Sequence, residues 1–283
     1  MSDLLVIGCG YLGRRVAERR RAAGLSVFAA TRSPHRADEF HRLGLEPVLC
    51  DVLEPDSLRA LPAGADVVYC VGYDRTAGKT MRNVYVDGLE NVLNALDAAD
   101  HRRFVYVSST GVYGQSRGEE VDETAMTNPA GESGRIVLDA EDLLQERRPD
   151  AVILRFAGIY GPDRLIRAAA LKAGEPLSGD PDQWLNLIHV EDGASAVIAA
   201  VERAGAGSVI NVCDDHPARR RDFYTKMAEV LGAPSPWFVP GVRTSAGEAN
   251  RRIVNRRMHT ELGVALRYPS YVEGLLASAE EVD

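Results

Sequence analysis

The chain has little of what marks a protein held together by metal or disulfides. Its four cysteines, Cys9, Cys50, Cys70 and Cys213, lie far apart in 283 residues, with no Cys-x-x-Cys and no Cys/His cluster. Reduced thiols and no bound metal are therefore expected. Lysine is scarce: Lys79, Lys172 and Lys226 are the only ones, and every other basic residue is arginine or histidine. Thirty-three Lys and Arg stand against 41 Asp and Glu, for a net charge of −8, and the arginines are scattered, which argues against a nucleic-acid surface. No window approaches the roughly 18 uncharged apolar residues of a membrane span. The N-terminus runs straight into an apolar strand rather than a signal peptide, so a cytoplasmic location is expected. Repeats and low-complexity tracts are missing too. The remainder is ordinary globular usage, 45% hydrophobic and 26% charged. The length can bury a large core, in one big domain or one with a small appendage.

Within that ordinary composition one segment stands out. Leu4-Leu5-Val6-Ile7 is an apolar run that reads as a buried parallel strand, and it breaks into Gly8-Cys9-Gly10-Tyr11-Leu12-Gly13. Leu12 and Val16 then recur at helical spacing. In this Gly-x-Gly-x-x-Gly pattern Gly8 makes the tight turn, Gly10 lets backbone approach a pyrophosphate, and Gly13 allows close helix–strand packing. The N–H groups at the helix start, around Tyr11 and Leu12, hold the phosphates. Dinucleotide binding is the reading that this context favours over a merely structural turn.

The second strand, Ser26–Ala30, ends in Thr31-Arg32-Ser33. An NAD site usually has Asp or Glu there for the ribose 2′-OH. A guanidinium instead offers a bidentate clamp to a 2′-phosphate. Arg32 thus favours NADP over NAD, against the plainer reading of one solvated arginine among many.

Strands and helices alternate through the first half of the chain. Apolar runs fall at Pro47–Cys50, Ala65–Val71, Arg103–Ser108 and Ala151–Phe156, with helical patterns at Val84–Ala99 and Gly134–Glu146. This predicts an α/β chain of Rossmann type, a doubly wound parallel sheet with ligands at the carboxyl ends of the strands. Asp51, Cys70–Arg75, Ser108–Gly114 and Phe156–Pro162 would then surround one crevice. Residues 1–162 read as the dinucleotide-binding core. Residues 163–283 read as a smaller C-terminal substrate lobe, interleaved with the last core elements and marked by Gly/Pro-rich stretches at Gly174–Pro181 and Ala233–Gly241.

Four segments carry a resemblance. Phe104–Gly114 (FVYVSSTGVYG), Asn83–Ala95, Leu154–Pro162 (LRFAGIYGP) and Asn186–Ala194 (NLIHVEDGA) come in the order of the fifth strand, its preceding helix, the sixth strand and the lobe segment of one family. The chain resembles the extended short-chain dehydrogenases/reductases, in the branch of nucleotide-sugar epimerases and dehydratases, over about residues 3 to 275. The resemblance implies that Asp51, with Val52 beside it, meets the adenine. It implies that Ser109 is the hydroxyl bonded to a substrate oxygen. It also implies a homodimer in which Val84–Ala99 and Gly134–Glu146 pair into a four-helix bundle, with a monomer as the alternative.

The family's proton-transfer pair is a Tyr-x-x-x-Lys, whose residues i and i+4 share a helix face. Aligning Gly134-Arg135 and Glu141 with that helix puts Ser133 at the tyrosine position and Val137 at the lysine position. None of the ten tyrosines has lysine four residues later. The candidate catalytic residues are then Ser109 and Tyr73, each also readable as ordinary strand-end packing. Tyr113 and His189 read as structural, and Glu119, Glu120, Asp122 and Glu123 as a solvated loop. Trp184, Arg219 and Trp237 are possible substrate contacts.

Three functional readings remain open. One is an atypical NADP-dependent oxidoreductase or epimerase-like enzyme acting on a small molecule, a nucleotide sugar or a similar polyol or carbonyl. Another is a catalytically silent NADP(H)-binding or redox-sensing protein. In the third, the glycine loop closes a turn and the fold binds something else.

Overall fold

A computed structural model describes residues 3–97, 103–241 and 249–280. Its central sheet has seven parallel strands: β1 (Leu4–Ile7), β2 (Val27–Thr31), β3 (Glu46–Leu49), β4 (Asp66–Tyr69), β5 (Phe104–Ser109), β6 (Val152–Phe156) and β7 (Val209–Val212). Their order across the sheet is β7-β6-β5-β4-β1-β2-β3. Leu4 pairs with both Val27 and Asp66, so chain order reverses about β1, and the crevice of an open α/β sheet opens at that reversal. This is the Rossmann arrangement expected from the alternation of elements.

Alternate strand residues feed two cores, because successive side chains point to opposite faces. Leu4, Val6, Val27, Ala29, Val68, Val105 and Leu154 pack under α1 (Tyr11–Ala22) and the helix Val190–Arg203. Leu5, Ile7, Val67, Tyr69, Phe104, Tyr106 and Ile153 pack under α3 (Gly88–Asp97) and α4 (Glu132–Arg147). Burial on both faces explains why β1 is apolar at all four positions. The helix α2 (Pro34–Arg42) starts where the Ser33 hydroxyl accepts from the Arg36 N–H, with proline in its first turn.

The helical pattern at 84–99 divides in two. A π-helical turn spans Asn83–Asp87 and α3 follows, while positions 98 and 99 lie outside the described residues. Past residue 162 the chain also divides. Val190–Arg203 and β7 return to the central sheet, and a third apolar cluster gathers Tyr160, Leu171, Leu177, Leu187, Phe223, Tyr224, Met227 and Leu275. Leu187–His189, lying parallel to Gly158–Tyr160, ties this cluster to the rest of the chain, while Arg251–Ile253 lies parallel to Glu119–Val121 over a fourth cluster that holds Val112, Tyr113 and Val137.

The faces of α3 and α4 turned away from the sheet are polar. Arg82 Nη1 lies 2.6 Å from Asp139 Oδ2, and Arg147 donates to Asn94 at 2.9 Å. No helix among the described residues is long and apolar enough to cross a membrane.

Candidate functional site

A cavity of about 710 Å³ runs along the carboxyl ends of β1 to β6, within the usual range for ligand sites. Gly8, Gly10, Tyr11, Leu12, Arg32, Asp51, Val52, Tyr73 and Ser109 all line it, so the candidates drawn from distant parts of the sequence meet in one place. Gly13 does not line it. A Cβ there would lie 2.7 Å from Cys70 Sγ and from the Gly8 carbonyl oxygen, so its role is close packing of α1 on the sheet.

The glycine loop fits a dinucleotide. Gly8 has φ +87°, and a Cβ on it would sit 2.5 Å from the Val71 nitrogen. Gly10 differs: a Cβ there would meet nothing nearer than the Gly8 oxygen at 3.9 Å, which leaves its face open to the cavity. The first turn of α1 contains no acidic residue and no side chain caps it. Its N–H groups and positive dipole end are thus free for phosphate.

At the end of β2, Arg32 and Arg36 both line the cavity. Arg32 Nη2 lies 3.1 Å from Asp74 Oδ2, an exposed pair. Arg36 donates to the Cys9 carbonyl and lies 5.1 Å from the Phe40 ring centroid. Sequence reading missed Arg36. The signal was there, since it lies four residues after Arg32, within the first turn of α2. At the end of β3, Asp51 Oδ1 accepts from the Leu53 N–H at 2.9 Å, which fixes the carboxylate on the cavity rim.

The cavity is also lined by Tyr73, Tyr85, Ser109, Val137, Gly158, Ile159 and, beside the Tyr11 ring, Arg164. Ser109 Oγ accepts from the Gly111 N–H at 3.1 Å, which orients the hydroxyl and leaves its proton to donate. The Tyr73 hydroxyl donates to the Lys79 carbonyl at 3.1 Å, so its proton is engaged by backbone. Tyr85, in the π-helical turn, accepts from the Tyr73 N–H at 3.2 Å, and its own proton has no acceptor among the described residues. π-helical turns recur at functional sites, but nothing in the sequence spacing announced one here. Val137 forms cavity wall and packs in the same apolar cluster as Tyr85, whereas Ser133 is exposed and outside the lining.

Other candidates lie elsewhere. His189 is 1% exposed, and burial pushes its imidazole down to about 4. Its Nδ1 caps the helix Val190–Arg203 by accepting from the Glu191 N–H. The Tyr113 hydroxyl is buried between Asn211 and Arg155. Glu119, Asp122 and Glu123 accept backbone N–H groups and Glu120 pairs with Arg252, all outside the cavity. Trp184 borders a separate cavity of about 230 Å³ and stacks on Arg219 at 3.8 Å. Exposed Trp237 donates to the Gly174 carbonyl. Burial pushes the Cys9 thiol up to about 12 and the Cys50 thiol to about 11, so both stay protonated and inert.

Known proteins agree with this geometry. The family model described as the NAD dependent epimerase/dehydratase family matches residues 4–213. Protein YeeZ of Escherichia coli K12 is 30% identical over 95% of this chain and 97% of its own length. A 4-hydroxy-2-methyl-3-oxo-4-farnesyl-3,4-dihydroquinoline-1-oxide ketoreductase of Stigmatella aurantiaca is 30% identical over 82% of this chain and 74% of its own. The solved structure of a conserved protein from Silicibacter pomeroyi superposes with TM-score 0.81 at 31% identity, over the whole of both chains. With the glycine loop, the strand order and the Ser109 strand end in place, the chain belongs to the NAD-dependent epimerase/dehydratase family.

Proposed function

We propose that the chain is an NADP(H)-dependent oxidoreductase that acts on the carbonyl or carbinol carbon of a small molecule, a nucleotide sugar or similar polyol included. One observation carries this reading. A single cavity joins a pair of arginines, Arg32 and Arg36, placed for a 2′-phosphate, to a Ser109 hydroxyl at the far end that is oriented and free to donate. The ketoreductase named above, a relative at 30% identity, points the same way.

Gly8, Gly10 and the N–H groups at the start of α1 would hold the pyrophosphate, Asp51 and Val52 the adenosine, and Arg32 with Arg36 the 2′-phosphate. When bound, the nicotinamide supplies or accepts hydride, which no side chain can do. Ser109 donates a hydrogen bond to the substrate oxygen and stabilises the charge that grows there. The remaining proton comes from a group other than the family's tyrosine if, as the alignment of Gly134-Arg135 and Glu141 puts them, exposed Ser133 and apolar Val137 take the positions of that pair. Tyr73 and Tyr85 are the phenols within the lining. Tyr85 is the better placed, because its proton is uncommitted.

The test is NADPH oxidation over a panel of ketones, quinones and sugar-nucleotide carbonyls. Turnover that falls in Ser109→Ala supports the reading. NADPH binding without turnover on any carbonyl favours the second reading, a silent NADP(H)-binding protein. That alternative rests on Val137, which cannot supply the cation that lowers a phenol's pKa.

A further inference from the structure

We infer that Arg164 is the counter-ion of the pyrophosphate of a bound dinucleotide, delivered to the glycine loop by the segment that follows the strand Gly158–Tyr160. The inference rests on the dinucleotide reading of the cavity and adds a binding residue to it from outside the glycine motif.

The segment is built to stay where it is. Tyr11, the first residue of α1, donates its hydroxyl proton to the Pro162 carbonyl at 2.7 Å. A Cβ on Gly161 would lie 2.7 Å from that hydroxyl, so the approach requires glycine. The Arg164 N–H then donates to the Gly161 carbonyl at 3.0 Å. Two non-glycine residues bracket the segment in the left-handed region, Asp163 at φ 61° and Arg167 at φ 65°. Side chains disfavour that conformation, and it persists where the surroundings fix it, often beside a ligand.

The Arg164 guanidinium carbon lies 5.4 Å from the Tyr11 ring centroid, beside the positive end of α1, where no acidic residue stands in the first turn. Among the described residues its guanidinium bonds to no acceptor and pairs with no carboxylate. The other arginines near the glycine loop are committed: Arg15 to Glu191 and the Tyr11 carbonyl, Arg32 to Asp74, and Arg36 to the Cys9 carbonyl. Arg164 is exposed on the cavity wall, so its guanidinium gives up no partner to meet an anion at the glycine loop. A planar fork of donors and a helix N-terminus converging on Gly10 and Tyr11 suit a pyrophosphate. Both NADP(H) and NAD(H) have that group, whereas only NADP(H) has the 2′-phosphate that Arg32 would read.

The experiment is calorimetric titration of the full chain with NADPH, NADH and 2′-AMP, which has no pyrophosphate. Wild type, Arg164→Ala and Arg164→Lys are compared. Arg164→Ala should weaken NADPH and NADH alike, by about tenfold or more, and leave 2′-AMP unchanged, with Arg164→Lys recovering part of the loss. The free variants should melt close to wild type, because in the free chain the guanidinium makes no hydrogen bond or ion pair among the described residues and only an exposed contact with the Tyr11 ring. Unchanged NADPH and NADH affinities in Arg164→Ala overturn the inference, and so does a loss shared by 2′-AMP or a lowered melting temperature. A wild-type chain that binds none of the three overturns the dinucleotide reading itself.

Discussion

Glu141 and Arg155 face each other in a buried ion pair, with Arg155 Nη2 2.7 Å from Oε2 and Nε 3.1 Å from both carboxylate oxygens. The side chains are 1% and 7% exposed. Ser108 donates to the same carboxylate, and Arg155 also donates to the Tyr113 hydroxyl at 3.0 Å. The pair therefore joins α4, β5 and β6 directly beneath Ser109, and sets where the serine stands in the cavity. Glu141→Gln leaves a buried guanidinium without its counter-charge, which typically costs about 3–5 kcal/mol. Replacing both partners, Glu141→Leu with Arg155→Met, should recover most of that loss, since an apolar pair of similar volume needs no desolvation. Denaturant midpoints of wild type and the two variants check this. A single-variant loss below about 1 kcal/mol, the range of an exposed pair, contradicts it.

Arg32 is occupied by Asp74 in the free chain, so a 2′-phosphate must displace a carboxylate to reach it. Arg32→Ala should weaken NADPH by about tenfold or more, the loss of one charge-assisted hydrogen bond, and leave NADH nearly unchanged. Asp74→Asn should tighten NADPH, because the competitor is gone, again with little effect on NADH. Fluorescence titration of both cofactors separates these outcomes from the uniform loss expected of Arg164→Ala.

What could be read from sequence follows from which interactions are local. Four consecutive apolar residues ending in glycines place β1, its turn and α1 because strand burial and turn geometry act over a few residues. Ser109 and Asp51 were legible for the same reason, as residues at strand ends. Arg36 needed the cap at Ser33 to be recognised as the start of α2, which turns a side chain three residues on back toward the cavity. Tyr85 was not legible: the pattern at 84–99 reads as one regular helix, and the π-helical turn that re-aims the tyrosine leaves no mark in its period. Arg164 was hidden too, because its setting depends on Tyr11, more than 150 residues away. The position of β7 beside β6 is not legible in sequence, because Val209–Val212 follows a long irregular stretch and its place is set by pairing with a strand more than 50 residues earlier.

Tyr85 and Tyr73 make opposite predictions for catalysis. A proton donor in the transition state contributes roughly 10²–10⁴-fold. Tyr85→Phe should lower kcat for any carbonyl reduced by that factor and leave NADPH affinity intact. Tyr73→Phe should change kcat little, since its proton is already given to the Lys79 carbonyl. Steady-state kinetics on the best substrate of the panel decides, and a reversed ranking assigns the proton to Tyr73.

The four-helix dimer implied by the family resemblance would bury the outer faces of α3 and α4. On those faces Asp139 pairs with Arg82, which precedes the π-helical turn, and Arg147 bonds to Asn94, all within one chain. Docking two such surfaces strips water from charges already satisfied, with half-buried Ile136, Leu138 and Leu143 to gain from contact. We expect light scattering at micromolar concentration to give the mass of one chain. A stable dimer broken by Asp139→Arg would show that these helices pair despite their charge.

Asp214 is 2% exposed, and its Oδ2 has no hydrogen-bond partner among the described residues. Its Oδ1 accepts only the His216 N–H, at 3.2 Å. Burial pushes the carboxyl up to about 8, with repulsion from Asp215, Asp192 and Glu273 in the same direction. In the unfolded chain it titrates near the ordinary 3.8. Below that value both states hold the proton and the contribution to stability is complete. Between about 4 and 8 the folded chain keeps a proton that the unfolded chain releases, so stability falls as pH rises through this window. Above it the folded carboxylate is charged without a partner, and no further change is due to this residue. Asp214→Asn keeps the acceptor for His216 and removes the titration. The variant should therefore gain on wild type steadily between about pH 5 and 8 in denaturant midpoint. Parallel profiles across that range would mean that Asp214 is ionised in the folded chain, paired by a group that satisfies Oδ2.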